Sequence, residues 1–160
     1  MINAKLITRC ADLLISKGLT IAFAESATAG RICAEFALAE QAGKFLKGGL
    51  NCYDATLKEQ LLGVKPESIE LFSPESAVIT RAITEGLSRL IPADIHVGCT
   101  GLTCPGGSET ELKPVGTMFL YATLHGKPIF NEKTYFQGSP EEIVTKTVEK
   151  TAFLLVSHLN

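Results

Sequence analysis

A serine, a tyrosine and a lysine are the residues of this sequence whose types and spacing could do chemistry together. Ser26 stands where the apolar run Ile21-Ala22-Phe23-Ala24 stops at Glu25 and gives way to the small residues Ala27, Thr28, Ala29 and Gly30. A serine hydroxyl is a weak nucleophile until a neighbouring base takes its proton. Tyr53 and Lys58 follow, and would supply a relay hydroxyl and that base. Helical side chains lean back toward the N-terminus, which aims the Lys58 amine from the first turns of a helix after Asp54 toward the strand end at Tyr53. Leu57, Leu61 and Leu62 would strip water from that amine, and burial lowers a lysine pKa toward the range useful for a base. Each residue also has an ordinary reading. Ser26 could be the N-cap of the next helix, Tyr53 a packed aromatic at a strand end, and Lys58 a surface lysine paired with Asp54 one turn earlier.

Other reactive residues make weaker constellations. The loop Thr100-Gly101-Leu102-Thr103-Cys104-Pro105-Gly106-Gly107 allows close backbone approach to a phosphate or ribose, but it has neither P-loop nor dinucleotide-fold spacing. Cys104 in that loop is a rival nucleophile without a nearby histidine, and reads as a filler thiol. The five cysteines, at 10, 33, 52, 99 and 104, include no Cys-x-x-Cys pair and read as reduced cytosolic thiols. His96, His125 and His158 stand apart from one another and from carboxylates at metal-ligand spacing, so no metal is expected.

The elements that must position these residues are legible from pattern. A helix is expected over residues 3 to 17, with Leu6, Ile7, Cys10, Leu13 and Leu14 on one face and Gly18 as its stop. Thr20 to Ala24 reads as a strand, and Ile32, Phe36 and the alanines at 34, 37 and 39 as a closely packed second helix. Gly48 and Gly49 read as a turn leading into a strand that ends at Tyr53, and Asp54 as the cap of a short helix closed by Gly63. Ser73-Pro74-Glu75 reads as cap, first-position proline and acidic first turn of a helix that buries Val78, Ile79, Ala82, Ile83 and Leu87. Asp94 to Cys99 reads as a further strand. Val115 to Leu124 and Lys127 to Phe136 read as a hairpin around His125-Gly126. Ser139-Pro140-Glu141-Glu142 is a capping box for a last helix that buries Val144, Val148, Ala152 and Leu155. Helices interleaved with strands and a closing hairpin predict an α/β fold, a three-layer α/β/α sandwich over a mixed sheet. Ligands in such folds sit at the carboxyl ends of strands, where Ser26, Tyr53 and Thr100 all fall.

Bulk properties narrow the class. A chain of 160 residues, 46% hydrophobic and 20% charged, reads as one globular domain over residues 1–160. Its net charge is −2, and its fifteen Lys and Arg form no basic run, which argues against nucleic acid as a partner. Apolar runs such as Ala152 to Val156 fall far short of the roughly 20 residues that span a bilayer. Asp12 interrupts what would be the core of a signal peptide, so no membrane partner and a cytoplasmic location are expected.

Several ordered motifs together resemble those of the CinA C-terminal domain family, the nicotinamide-nucleotide amidases. They are Glu25-Ser26-Ala27-Thr28-Ala29-Gly30; Gly48-Gly49 with Tyr53 and Lys58; Thr100-Gly101-Leu102-Thr103-Cys104-Pro105; and Lys113-Pro114-Val115-Gly116-Thr117. The resemblance runs nearly end to end. It implies that Ser26 attacks the carboxamide of nicotinamide mononucleotide or an analogue, with Lys58 as general base and Tyr53 assisting, and that ammonia and nicotinate mononucleotide result. It implies substrate contacts at Glu25, Thr28, Gly30, Gly49, Thr100, Gly101, Pro105 and Gly106, no cofactor, and a homo-oligomer. Four positions depart from the family pattern. Pro140 stands in place of an arginine, Cys104 and Ala29 in place of glycines, and Asp54 in place of a neutral residue. Cys104 and Ala29 are expected to narrow the pocket, and Asp54 to hold Lys58 charged. These departures raise the alternative of an impaired paralogue that binds a pyridine nucleotide without turning it over.

Overall fold

The computed structural model describes residues 1–160, which form a five-stranded mixed sheet between two helical layers. In chain order the elements are α1 (Ala4–Lys17), β1 (Ile21–Glu25), α2 (Arg31–Ala37), a 3-10 turn at Ala42–Lys44, β2 (Leu46–Asn51) and α3 (Ala55–Leu62). They continue with α4 (Pro66–Phe72), α5 (Ala77–Leu90), β3 (Ile95–Gly101), β4 (Thr117–Leu124), β5 (Lys127–Tyr135) and α6 (Pro140–Leu159). The strand order is β2-β1-β3-β4-β5, with β2, β1 and β3 parallel and β4 and β5 antiparallel.

The two-residue period of a strand explains the layering. Ile21 and Phe23 of β1 face a core shared with α1, α2 and α6, whereas Ala22 and Ala24 face a smaller core built with α3 and α5. Both faces are covered, so all five residues of β1 and all seven of β3 are buried, as inner strands of a sheet between two helical layers must be. The small alanines on one face let α5 lie close, and Phe23 stacks its ring 5.1 Å from that of Phe36 on the other.

Caps and turns appear where local chemistry demands them. Gly18 and Gly63 close α1 and α3 in left-handed conformation, and Ser139 and Glu142 form a reciprocal capping box on α6. His125 and Gly126 both take positive φ, the requirement of a two-residue turn that matches the twist of β4 and β5.

Three expectations are corrected. The helix expected from Ser73 begins at Ala77, capped by Ser76, whose hydroxyl accepts from the Ile79 N–H. Ser73 has φ 68° and ψ 156°; the following proline keeps it out of the helical region, though it does not account for the positive φ, and Ser73-Pro74-Glu75 is a loop. A short helix, α4, precedes it over a stretch with no apolar period to announce it, since it buries no residue. Gly48 and Gly49 lie within β2 and not before it. The pairing of Ile21 with Leu46 and of Ala22 with Gly48 leaves Lys47 as an extra residue, and Gly48 absorbs the bulge at φ 126°. On α6 the inward positions include Ile143, while Val144 is half-buried.

All five cysteines are free, and no helix is long and apolar enough to cross a membrane.

Candidate active site at the ends of the parallel strands

The carboxyl ends of β1, β2 and β3 are tied together by main-chain hydrogen bonds that outlast the strands. The Ser26 N–H donates to the Cys99 carbonyl at 3.0 Å, and the Cys52 N–H donates to the Glu25 carbonyl at 2.8 Å. Ser26 is thus held on rigid backbone, one residue beyond β1. Its neighbour Glu25 explains why it is not a cap. The buried Glu25 carboxylate accepts from the N–H groups of Ile32 and Cys33, at 3.0 and 2.7 Å, and from the Thr28 hydroxyl at 2.6 Å. A carboxylate at the start of α2 satisfies its open N–H groups and favours its dipole. Gly30, the residue at the cap position, needs no side chain for the task. The ordinary reading of Ser26 as an N-cap is therefore corrected, and its hydroxyl is left for other work.

Lys58 reaches that hydroxyl from the next helix. Asp54 caps α3 by accepting from the N–H and hydroxyl of Thr56, at 2.8 and 2.6 Å. The first turn of α3 then carries Lys58 inward, where only 1% of its surface is exposed. Its Nζ lies 3.0 Å from Ser26 Oγ, 2.8 Å from the Cys52 carbonyl and 3.4 Å from the Tyr53 carbonyl. No salt bridge joins Lys58 to Asp54, so the surface-pair reading does not hold. Burial pushes the lysine pKa below its ordinary value, against the smaller opposing pull of Cys52, Glu75 and Asp54.

Beside Ser26 opens a cleft of about 250 Å³, walled by Ser26, Ala27, Tyr53, Glu75 and the loop from Gly101 to Gly107. Gly101 allows β3 to pass tight against β4: a Cβ there would lie 2.7 Å from the Thr117 carbonyl and collide with Met118. The loop beyond is clasped to the Ser73–Ser76 turn. Lys113 Nζ donates to the Ser73 and Ser108 hydroxyls, at 2.6 and 2.7 Å, and to the Glu75 carbonyl at 2.9 Å, and Ser108 donates to the Glu75 carboxylate. Ala27 also walls the cleft, and its N–H donates to no protein acceptor.

The motifs that surround this site extend across the chain. The family model of the CinA C-terminal domain matches residues 3–159. The chain belongs to the CinA C-terminal domain family. A CinA-like protein of Dictyoglomus thermophilum is 36% identical over 121 residues, covering 76% of this chain and 29% of the relative. The chain spans about a third of the length of the curated relatives it matches. Among solved structures, a competence-damaged protein (CinA) superfamily protein from Enterobacter cloacae superposes with a TM-score of 0.92 at 27% identity, covering 100% of this chain and 94% of the other. One from Klebsiella pneumoniae gives 0.92 at 26% identity, with 98% and 96% covered. These likenesses carry the three-layer α/β fold from end to end.

Within this CinA domain the residues singled out from the sequence divide by location. Ser26, Tyr53, Gly101, Pro105 and Gly106 wall the cleft, and Lys58 stands behind Ser26. Tyr53 meets the lysine through its carbonyl, while its ring is exposed at the cleft. Gly106 turns its N–H to the Glu109 carboxylate at 2.8 Å, so that amide is already occupied. Glu25 and Thr28 form the buried cap of α2, and Thr100 pairs its hydroxyl with that of Thr80 at 2.9 Å under α5. Gly30 and Gly49 line a separate depression with Cys33 and Ala37, on the far side of Glu25. None of these five lines the cleft.

The departures from the family pattern also sort by place. Ala29 is exposed and lines no part of the cleft; it sits at φ 49°, so its cost is backbone strain and not lost space. Asp54 is engaged in capping α3. Cys104 does project from the cleft wall. Glu75 and Lys113 were not singled out as site residues. Glu75 sits where a helical first turn was expected, and only the clasp from the later loop brings it to the cleft.

Proposed function

We propose that this chain is a serine amidase acting on the carboxamide of nicotinamide mononucleotide or a close analogue. The observation that carries the reading is the buried Lys58 amine 3.0 Å from Ser26 Oγ. A neutral lysine has two N–H donors and one lone pair. In the neutral form that this reading requires, the carbonyls of Cys52 and Tyr53 accept the two donors, and the lone pair is left to take the proton of the serine hydroxyl 3.0 Å away. As Oγ attacks the carboxamide carbon, its proton passes to Nζ and the carbonyl oxygen gains charge beside the Ala27 N–H. The C–N bond then breaks, Nζ returns the proton to the departing nitrogen, and ammonia leaves an acyl ester on Ser26. Water gives a proton to Nζ and attacks the ester carbon; Ser26 departs, recovers its proton, and the acid product is released.

Family membership supports this reading, and so does the place of the departures. Ala29 and Asp54 stay clear of the reacting atoms. The test is chromatography of nicotinamide mononucleotide incubated with wild-type protein and with Ser26→Ala, measuring the acid product and ammonia. Turnover lost in the variant is expected; wild type and variant behaving alike would overturn the proposal. Cys104 on the cleft wall favours a second reading, a domain that binds a pyridine nucleotide without turnover. Binding by calorimetry with no product from the wild-type protein would establish that alternative.

A further inference from the structure

The charges around the cleft are unbalanced in a direction that bears on substrate class. Among the residues that wall it, Glu75 alone is charged. The two cations that contact residues of its wall are both engaged: Lys58 lies buried behind Ser26, and Lys113 is turned to Ser73, Ser108 and the Glu75 carbonyl. In the glycine-rich wall the Gly106 N–H is taken by Glu109, which brings a second carboxylate to the same loop, and only main-chain amides such as those of Thr103 and Cys104 are left open, with no cationic side chain beside them. A phosphate dianion entering here would meet a carboxylate and no free cationic side chain, whereas phosphate sites are built from Arg, Lys and open N–H groups. The pyridinium ring of an N-glycosylated nicotinamide carries a positive charge next to the amide that Ser26 would attack.

We propose that Glu75 is a specificity-determining residue that selects a cationic pyridinium amide lacking a phosphate, the nucleoside in preference to the nucleotide. This rests on the amidase reading above. Ser108 donates to the Glu75 carboxylate and is itself held by Lys113, so the carboxylate is fixed in the wall of the cleft into which Ser26 also opens. Opposite charge on the substrate is favoured there, and like charge is rejected.

The experiment compares kcat/KM for nicotinamide riboside and nicotinamide mononucleotide in wild-type protein and in Glu75→Gln, which keeps an acceptor for Ser108. Wild type is expected to prefer the riboside by about tenfold or more, and Glu75→Gln to shrink that ratio by about tenfold through KM, with kcat little changed. A wild-type preference for the nucleotide, a measurement that needs no variant, would overturn the proposal. An unchanged ratio in a folded Glu75→Gln would do the same. If neither compound is hydrolysed, calorimetry separates the two claims. Glu75-dependent binding of the riboside over the nucleotide upholds the selection while the amidase reading fails; equal or absent binding overturns both.

Discussion

Lys58 Nζ lies 3.0 Å from Ser26 Oγ, with the lysine stem sealed inside the protein and both remaining polar contacts made by carbonyls. A charged amine in that place would have to overcome its desolvation with main-chain dipoles alone, since no carboxylate is bonded to it. In the amidase reading proposed above, the two side chains act as one unit.

Removing either member should abolish turnover to a similar degree. Ser26→Ala and Lys58→Met are each expected to lower kcat by about 10²–10⁴-fold, and the double variant to lose little more than either alone, because residues acting as a unit are non-additive. Steady-state kinetics on the single and double variants check this; additive losses would mean that the two act independently.

The pH dependence follows from the burial of Lys58. Its pKa is pushed below the ordinary lysine value of 10.5, so activity should rise with pH through a midpoint under that value as the amine loses its proton. Stability moves the same way. The unfolded chain binds this proton more tightly than the folded one, so from the depressed folded pKa up to the ordinary value the unfolded state carries more protons and stability rises with pH. Denaturant titrations across that window should show an increase that Lys58→Met removes.

Ala29 holds a left-handed conformation at φ 49° on the surface, with only small residues around it in sequence. An alanine there costs roughly 1–2 kcal/mol relative to relaxed backbone, and glycine avoids the clash at some cost in unfolded-state entropy. Ala29→Gly is expected to raise unfolding free energy by about 1 kcal/mol while leaving kcat/KM within about twofold. A loss of stability in urea unfolding would show that the turn is not strained by its side chain.

Asp54 contributes a cap and a charge that can be separated. Asp54→Ala should lower the melting temperature by freeing the Thr56 N–H at the start of the helix that carries Lys58, whereas Asp54→Asn, which keeps an acceptor, should lower it much less. Because Asp54 opposes the lowering of the Lys58 pKa, both variants should move the activity midpoint to slightly lower pH. Thermal melts and pH–rate profiles read the two effects separately; equal destabilisation by Asn and Ala would assign the role to charge.

Much of this domain was readable from the sequence because its signals are local. The helix stops at Gly18 and Gly63, the hairpin at His125-Gly126, the capping box at Ser139 and the alternation of β1 are all set by residues within a few positions of one another. So was the order of chemical groups, Ser26 at one strand end and Lys58 in the helix after the next. The misplaced start of α5 had a local cause too: Ser73, before Pro74, stays out of the helical region, and the cap is supplied by Ser76 instead. What tertiary structure alone decided are relationships between distant segments. Glu25 caps α2 by reaching across the Ser26–Gly30 turn, which releases the serine. Parallel pairing of β1 with β2 brings Cys52 to Glu25 and so Lys58 to Ser26. The contact of Lys113 with the Ser73–Ser76 turn places Glu75 at the cleft. A residue's type and spacing state what it can do; the register of a sheet and the burial that follows determine which partner it meets and in which protonation state.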